Sequence, residues 1–521
     1  MQHEEQRNTS TTYKIILDIL NRARPADGHA LCLFTYLRVL AACGFLHYNR
    51  LVTQNNKMRN LPSVDRVLAH PAISTAASAT PRTMVVKAVR SAIEEARQAA
   101  KAGKSDEPGS IDSIASRACE IIKQMMAPSL KSAINATGVI IHTGLGRSVL
   151  AEDAVEAVKR AASKHCTLEI DIETGRRGSR IAHVESLLCE LTGAESAAVV
   201  NNNAAAVVLA IGTMAHDREV LISRGELVEI GGRFRMPDVI RAAGCRLVEV
   251  GTTNRTRISD YEAAITENTA LILKVHPSNY CIVGFTEEAS IEELVELGRK
   301  THVPVMHDIG SGALIDLSQF GIKDEPMVQD SVRAGCDVVA FSGDKLMGSV
   351  QAGILVGKRE SIEECRRNPL ARALRVDKLT LAGLEATLRI MREPEDAIAK
   401  IPTLRYISRT INEIDEMAKK LADRLRETLG KEFEIATEES VCKVGGGSLP
   451  GQNLPSIAVA IRSKLVTPDE IAVFFRKHGK AIIGRVENDA FLLDMRTVES
   501  DEIDEIITRA QEISRLNNAN G

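Results

Sequence analysis

A lysine that follows an apolar run is the residue of this sequence best suited to covalent chemistry. Lys345 lies in FSGDKLMGSVQAG (341–353), three residues after Ser342. A lysine held in a dry turn loses its proton readily and can form a Schiff base with a carbonyl compound. The next apolar run, AGILVG (352–357), predicts a strand that returns into the sheet and holds this turn rigidly. Most lysines are solvated surface charges, so Lys345 alone would indicate little.

Two segments upstream of this lysine predict an anion site and a functional carboxylate. VVNNNAAAVVLAIG (199–212) predicts a strand, a polar turn and a helix of small residues, and the first amides of such a helix can bind a phosphate. PVMHDIGSG (304–312) ends an apolar run with Asp308, which could stay ionised against a protonated ring nitrogen. Each segment alone has an ordinary explanation, because helices often follow strands and aspartates often cap helices.

The order of these three features predicts a site for pyridoxal 5′-phosphate (PLP). Asp308 would pair with the pyridinium nitrogen, and Lys345 would bind the aldehyde carbon as a Schiff base. The phosphate would be held by the backbone amides of Asn202, Asn203 and Ala204 and by the hydroxyl of Ser342. Competing motifs fail, because GLGRSV (144–149) lacks the last glycine of a dinucleotide fingerprint and neither GxxxxGK[ST] nor HExxH occurs.

The elements that must position these residues alternate between strand and helix. This alternation is typical of an α/β fold with a mostly parallel, doubly wound sheet, in which ligands bind at the carboxyl ends of the strands. The polar residues that follow the strands should therefore lie together. The predicted strands are AAVVN (197–201), EVLIS (219–223), LVEVG (247–251), ALILKVH (270–276), VPVMHD (303–308), DVVAFS (337–342) and AGILVG (352–357).

Changes in this pattern divide the chain into four segments. Residues 58–132 have apolar positions at helical spacing, with a Gly/Pro/Ser break at 103–112, and predict a small helical domain. Residues 133–386 are predicted to form the PLP-binding large domain. Residues 387–521 predict a compact α+β domain, with a helix-rich stretch, the strands SIAVAIRS, KAIIGRVEND and AFLLDMRTV, and a terminal helix. Residues 1–57 have no assigned role and are either an appendage or the product of an upstream start.

The composition is that of a globular protein and excludes several classes. The 521 residues are 44% hydrophobic, with 66 Lys+Arg against 69 Asp+Glu and a net charge of -3, which excludes a globally basic nucleic-acid coat. Aromatic residues are only 3%, which argues against base-stacking platforms. The ten cysteines form no CxxC pair, which indicates reduced thiols in the cytoplasm rather than a zinc or disulfide framework. The apolar run 30–46 is short for a membrane span and contains Arg38, so no membrane segment is expected.

Seven runs of the sequence resemble the bacterial selenocysteine synthases, which are L-seryl-tRNA(Sec) selenium transferases. The similarity extends roughly from Met58 to the C-terminus and is densest over 134–388. It implies the aspartate-aminotransferase-like fold type I of PLP enzymes for the large domain. The runs are INATGVIIHTGLGR (134–147), SRGELVEIGGRFRMPDV (223–239), EVGTTNRT (249–256), KVHPSNY (274–280), DIGSG (308–312), SGDKLMG (342–348) and LARALRVDKLTLAGLEATL (370–388).

The resemblance implies a β-replacement on serine esterified to tRNA(Sec). Lys345 would remove the Cα proton, while the ring nitrogen of PLP would be kept protonated by Asp308 and the ring would accept the electrons. Hydroxide would leave Cβ and give a dehydroalanyl ester. Selenium from selenophosphate would then add to Cβ and produce L-selenocysteinyl-tRNA(Sec).

The same resemblance assigns further residues to the substrates. Arg147, Arg372 and Arg375 match the family's arginines that bind the selenium donor, and guanidinium groups suit phosphoryl oxygens. Arg372 and Arg375 are three residues apart and would share one face of a helix. His276, at a strand end, would stack on the PLP ring or contact the substrate, and a purely structural histidine is the alternative. Family members are ring-shaped homodecamers with active sites at dimer interfaces, so Arg147 could reach the site from a neighbouring subunit.

Residues 58–132 match the family's tRNA-binding domain. A locally basic surface would contact RNA phosphates, and a solvated charged helix face is the alternative. The basic residues are Arg82, Lys87, Arg90, Arg97, Lys101 and Lys104. The expected partners are seryl-tRNA(Sec), selenophosphate and further copies of the chain in the cytoplasm, without a membrane.

Two other functions fit parts of the pattern. A related PLP-dependent lyase acting on a small amino acid or amino sugar phosphate would share the lysine turn, but such relatives tend to lack the N-terminal domain. A non-catalytic tRNA-binding protein would have no need of Lys345 and Asp308. The presence of both features therefore favours the selenium transferase.

Overall fold

The computed structural model describes residues 61–102, 109–445, 448–477 and 479–519, without the side chains of 448–451 and 514–519. Residues 1–57, with the apolar run 30–46, and Lys104 lie outside the described residues. Among the helices that are described, none is both long enough and apolar enough to cross a bilayer. The chain divides into two compact units between Lys131 and Ser132.

The N-terminal unit is helical and has its own apolar core. Its helices are α1 (Val64–Leu68), α2 (Pro71–Ala77), α3 (Arg82–Lys101) and α4 (Ile111–Met126). Helix α3 buries Val85, Val89 and Ile93, whose four-residue spacing forms one face against α4. The Ser110 hydroxyl caps α4 by accepting a hydrogen bond from the Ser113 N–H. The predicted helical fold of this region is confirmed.

The C-terminal unit contains two main sheets covered by helices. Its strands are β1 (Ala133–Asn135), β2 (Val139–Ile141), β3 (Ser196–Val200), β4 (Glu219–Ser223), β5 (Glu229–Ile230), β6 (Phe234–Arg235), β7 (Arg246–Val250), β8 (Thr269–Val275), β9 (Val305–Gly310), β10 (Val338–Ser342), β11 (Gly353–Gly357), β12 (Phe433–Gly445), β13 (Ser448–Ser463), β14 (Ala481–Ile483), β15 (Arg485–Glu487) and β16 (Ala490–Asp494). Its helices are α5 (Glu152–Ser163), α6 (Ala182–Thr192), α7 (Asn203–Met214), α8 (Met236–Ala242), α9 (Ile258–Ala264), α10 (Ile291–Thr301), α11 (Val328–Ala334), α12 (Arg359–Arg367), α13 (Pro369–Ala373), α14 (Lys378–Met391), α15 (Pro394–Lys400), α16 (Pro402–Ser408), α17 (Ile411–Leu429), α18 (Pro468–Lys477) and α19 (Glu502–Ala519).

The large sheet has the order β3-β11-β10-β9-β8-β4-β7. Neighbouring strands are parallel except at β11, which is antiparallel to both β3 and β10. Alternate residues of β8 enter two different cores, Leu271 and Leu273 in one and Ile272 in the other, because successive side chains point to opposite faces. Helices cover both faces, which explains the nearly continuous apolar runs of these strands. The predicted mostly parallel α/β sheet is confirmed, with strand ends that differ from the prediction by one or two residues.

The smaller sheet has the order β15-β16-β13-β12-β2, and α17 and α19 pack on it. The long antiparallel pair β12 and β13 forms its centre, and sequence analysis missed β12 altogether. The predicted helix-rich stretch LRYISRTINEIDEMAKKLADRLRETL forms two helices, α16 and α17. The break occurs because Thr410 and Glu413 form a reciprocal capping box that begins α17.

Strands β1 and β2 belong by their hydrogen bonds to the C-terminal sheets. Ala133 lies opposite Ala481 in the parallel pair β1–β14, and Val139 lies opposite Lys443 in β2–β12. Sequence analysis assigned all of residues 133–386 to the large domain, because strands of three residues are too short to show the alternation of apolar and polar residues. The first residues of that segment therefore pair with strands near the C-terminus.

Candidate active site

The Lys345 amine and the Asp308 carboxylate face one small buried volume. Lys345 follows β10 and is 8% exposed, while Asp308 lies in the neighbouring strand β9 and is 5% exposed. Gly310 ends β9 with a φ of +70°, and a Cβ there would lie 3.7 Å from Lys345 Nζ and 4.0 Å from Asp308 Oδ1. A side chain at position 310 would be strained and would fill the space between the amine and the carboxylate, so this position requires glycine.

The turn before α7 is fastened to Asp308 through a side chain. Asn203 Nδ2 donates to Asp308 Oδ1 at 2.8 Å, while Asn202 Oδ1 caps α7 by accepting from the Ala205 N–H at 2.9 Å. A Cβ at Gly353 would overlap the Asn202 carbonyl, so β11 can pack directly on this turn only with glycine there. The structure thus brings the predicted phosphate turn and the predicted ring-nitrogen partner together.

Burial shifts the pKa values of both central groups toward their neutral forms. Desolvation raises the pKa of the Asp308 carboxyl, against the Asn203 hydrogen bond and the positive charges of Lys345 and His276. Desolvation also lowers the pKa of the Lys345 amine, against the negative charge of Asp308 and with help from the positive charge of Arg147. A neutral amine is the nucleophilic form of lysine, so burial prepares Lys345 to react with an aldehyde.

These groups fit PLP in three ways. The carboxylate suits a protonated ring nitrogen, the amine suits an aldehyde, and the first amides of α7 have no acceptor within their own helix and suit a phosphate. Asn203 Oδ1 is buried and accepts no hydrogen bond from any described residue, which leaves an acceptor for a ligand. The Ser342 hydroxyl donates to Asp344 Oδ1 at 2.9 Å, so its contact with the phosphate stays a prediction.

Asp344, which the sequence analysis did not assign, connects Arg147 to the lysine turn. Its carboxylate accepts from Ser342 Oγ and, at 2.8 Å, from Arg147 Nη1. The Ser148 hydroxyl lies 2.8 Å from the Asp344 carbonyl and 2.9 Å from the Lys345 carbonyl. Arg147 therefore lies beside Lys345 of its own chain. An acidic residue directly before the lysine in SGDK was the signal that could have identified Asp344.

The other two predicted donor-binding arginines lie near the end of β3. Arg372 is exposed on α13, which ends at Ala373, so Arg375 lies beyond the helix. The prediction that the two arginines share one helix face is therefore wrong. Arg375 forms an antiparallel bridge with Val200, directly before the phosphate turn. Partial burial and the positive charges of Arg180 and Arg372 lower the pKa of Arg375, and a bound anion would relieve this repulsion.

Glu169 is a second residue that sequence analysis missed. Its carboxylate accepts from Arg177 at 2.7 Å and from Arg180, and it lies 3.8 Å from Arg375 Nη1. The hydrogen bonds from Arg180 and Arg177 lower the pKa of Glu169 to about 2. The ionised Glu169 carboxylate thus already occupies the arginine cluster. The three arginines of RRGSR (176–180) were the feature of the sequence that could have indicated an acidic partner.

His276 lies at the end of β8, as predicted, and is linked to Asp308 through the main chain. Its backbone N–H donates to the Asp308 carbonyl at 2.9 Å. The imidazole is largely buried, with Nε2 3.6 Å from Glu325 Oε2, and it lines a cavity of about 460 Å³ together with Tyr280 and Arg255. The structure therefore brings His276 to the same strand ends as Asp308.

Comparison with known proteins finds two matching families along the chain. The family described as L-seryl-tRNA selenium transferase matches residues 133–499, and the family described as selenocysteine synthase N terminal matches residues 58–97. The chain is 47% identical over 455 residues to the L-seryl-tRNA(Sec) selenium transferase of Geobacter sulfurreducens, which covers 87% of this chain and 98% of that protein. It is 46% identical to the enzyme of that name from Hyphomonas neptunium, over 88% of this chain and 99% of that protein.

Among solved structures, D-glucosaminate-6-phosphate ammonia-lyase shares the fold. The likeness has a TM-score of 0.52 at 24% identity and covers 76% of this chain and 98% of the lyase. The predicted aspartate-aminotransferase-like fold type I is confirmed for the large domain.

Proposed function

The chain belongs to the family of L-seryl-tRNA(Sec) selenium transferases, and from this premise we propose that it converts L-seryl-tRNA(Sec) to L-selenocysteinyl-tRNA(Sec) with selenophosphate. PLP is the cofactor. The observation that carries the proposal is the buried Lys345 amine, which faces the same volume as the Asp308 carboxylate at the carboxyl ends of adjacent parallel strands.

We assign the proton transfer at Cα of the seryl group to Lys345 Nζ. Burial lowers the pKa of this amine, which favours the neutral form that can accept a proton. PLP, when bound, supplies the ring that accepts the electron pair of the broken Cα–H bond. Asp308 would hold the ring nitrogen, and Asn203 orients Asp308 through the 2.8 Å hydrogen bond. His276 would contact the cofactor or the seryl group.

We assign binding of the selenium donor to Arg147, Arg372 and Arg375. Arg147 has an ionic partner in Asp344, which limits its motion beside Lys345. The lowered pKa of Arg375 in its positive surroundings supports an anion site there. A phosphoryl group would replace Glu169 as the anionic partner of this cluster.

We assign recognition of tRNA(Sec) to the N-terminal unit, whose residues 58–97 match the family's N-terminal region. Arg82 and Arg90 are exposed on α3, where RNA phosphates could reach them. The proposed assembly is a homodecamer in the cytoplasm, as in the family.

The test is to incubate the purified protein with seryl-tRNA(Sec), with and without selenophosphate, and to identify the esterified amino acid. We expect selenocysteine only with the donor, and no product with Lys345→Ala. Recovery of serine alone from the wild-type reaction would reject the function. An Arg82→Glu/Arg90→Glu variant should bind tRNA(Sec) more weakly and retain PLP, whereas unchanged binding would reject the role of the N-terminal unit.

A further inference from the structure

An acid and an imidazole lie side by side next to the PLP site with their polar atoms unsatisfied. The side chains of Glu325 and His276 are 4% and 19% exposed, and Glu325 Oε2 lies 3.6 Å from His276 Nε2. Both oxygens of Glu325 and Nε2 of His276 are buried, and none of these atoms has a hydrogen-bond partner among the described residues. The separation is slightly too long for a hydrogen bond and short enough for an ion pair.

A buried carboxylate in this state requires a partner. Removing an ionised carboxylate from water is costly unless a positive charge or several donors compensate for the lost hydration. The Nε2 atom of His276 is the donor nearest to this carboxylate, and a movement of less than about 1 Å would close the hydrogen bond. The geometry therefore favours a His276 ring that carries a proton on Nε2, directed at Glu325.

Hydrogen bonds on both sides hold the segment that contains Glu325, which limits movement of the carboxylate away from His276. On one side, Gln452 of the β13 strand accepts from the Lys323 N–H at 2.9 Å and donates to the Lys323 carbonyl. On the other side, the Val328 N–H donates to the Ala313 carbonyl at 3.1 Å. Glu325 thus lies between strand β13 and the loop that follows β9.

The imidazole is equally constrained from the side of the cofactor site. The backbone of His276 is bonded to Asp308, and the negative charge of Glu325 also acts on Lys345. On its open side, the ring borders the cavity of about 460 Å³. The charged groups that line this cavity beside Glu325 are Glu226, Arg255, Glu287, Glu288 and Asp324.

We propose that Glu325 is a positioning residue, which holds the His276 imidazole against the bound PLP by accepting a hydrogen bond from Nε2. Without this partner the ring could rotate into the cavity and lose its contact with the cofactor site. The inference rests on the proposed function only in taking His276 to face the cofactor. Glu325 acts through His276 and has no contact of its own with the reacting atoms.

A double-mutant cycle on cofactor affinity tests this role in the full-length protein. PLP is titrated into cofactor-free wild type, Glu325→Gln, His276→Asn and the double variant, and the dissociation constant is read from the absorbance of the bound cofactor. We expect each single variant to bind PLP about tenfold more weakly, as is typical after losing a partner of a charge-assisted hydrogen bond. The double variant should bind no more weakly than His276→Asn, because the two residues act as one unit.

The matched control is Asp324→Asn, which removes an exposed carboxylate from the adjacent position and the same cavity. We expect its affinity for PLP to equal that of the wild type. Additive effects in the double variant, unchanged binding by Glu325→Gln, or an equal loss in Asp324→Asn would each overturn the proposal. If Glu325→Gln does not fold, the same cycle with Glu325→Asp gives the decision. Because the readout needs no tRNA, a protein that fails to make selenocysteine would leave this result standing.

Discussion

Two buried carboxylates of the C-terminal unit differ in whether the rest of the chain supplies hydrogen-bond donors to them. Asp494, in the smaller sheet, is fully buried and both of its oxygens are satisfied. Its donors are Ser456 Oγ (2.6 Å), the Arg496 N–H (3.2 Å), Ser440 Oγ (2.6 Å) and Arg485 Nη1 (3.3 Å). Glu325, beside the active site, accepts no hydrogen bond from any described residue. The chain supplies all the hydrogen-bond donors of the first carboxylate, whereas the second has, among the described residues, only the His276 imidazole within ion-pair distance.

The difference separates a group that stabilises the fold from a group that serves the site. Buried polar atoms are nearly always hydrogen-bonded, so a cluster of exceptions calls for an explanation. Asn203 Oδ1 and His276 Nε2 lie around the same cofactor site and likewise have no partner in the described part of the chain. The proposed binding of PLP and substrate provides that explanation, because a bound ligand would supply the missing hydrogen-bond partners. Mutations in the two regions should therefore affect different measurements.

The largest effect is expected at the site itself. Lys345→Ala should reduce turnover by more than about 10³-fold, because it removes both the base and the covalent attachment of the cofactor. Its thermal stability without cofactor should not fall, since the buried amine is destabilised by desolvation. Lys358→Ala, which alters a half-exposed lysine paired with Asp337, is the control and should retain activity. Turnover of Lys345→Ala close to that of the wild type would contradict the catalytic role of this residue.

The second largest effect is expected on the stability of the fold. Asp494→Ala should lower the free energy of unfolding by roughly 3–5 kcal/mol, because it removes the acceptor of two hydroxyls and the buried ionic partner of Arg485 Nη1. Denaturant unfolding measures this change. The folded fraction should retain its PLP absorbance and its turnover per folded molecule. Wild-type stability in this variant would show that the network is not structural.

Donor binding should respond more weakly. Arg372→Ala and Arg375→Ala should each raise the KM for selenophosphate roughly 10- to 100-fold, the size expected for a lost charge-assisted hydrogen bond. PLP should stay bound, because neither arginine is assigned to the cofactor. Arg389→Ala, which removes an exposed arginine paired with Glu385, serves as the control. Loss of the PLP colour in the first two variants would assign these arginines to structure instead.

The smallest effect concerns the pH dependence of stability without cofactor. Burial raises the pKa of Asp308, so its contribution favours folding at low pH and is lost as the pH rises from about 4 through the raised pKa. Asp308→Asn should therefore raise the melting temperature of the cofactor-free protein by a few degrees at neutral pH, and less at pH 4. Melting curves at several pH values measure this. A lower melting temperature at neutral pH would contradict the raised pKa.

Sequence analysis found the groups whose roles depend on residue type and order along the chain. Lys345 and Asp308 follow apolar strands, and the alternation of strands and helices was sufficient to bring them together. It did not find Asp344, Glu169 or Glu325, because an acidic residue in a loop carries no periodic signal. Their roles depend on distances to arginines and a histidine that only the folded chain establishes.

The same limit applied to the elements. Fully buried strands of five to seven residues were predicted closely, because their apolar runs are long enough to recognise. The three-residue strands β1 and β2 were missed, and the helix break at Thr410 depends on a cap that competes with a continuous helical pattern. Tertiary pairing decided the first case and local hydrogen bonding the second.

The pairing of β1 with β14 has a consequence for the order in which the protein is made. The Thr137 carbonyl, just after β1, accepts from Arg485, which is 348 residues further along the chain. The ribosome must therefore add 348 residues after Thr137 before Arg485 is synthesised. Until then β1 has no strand to pair with, so the synthesis of β14 is the step that allows this long-range pair to form.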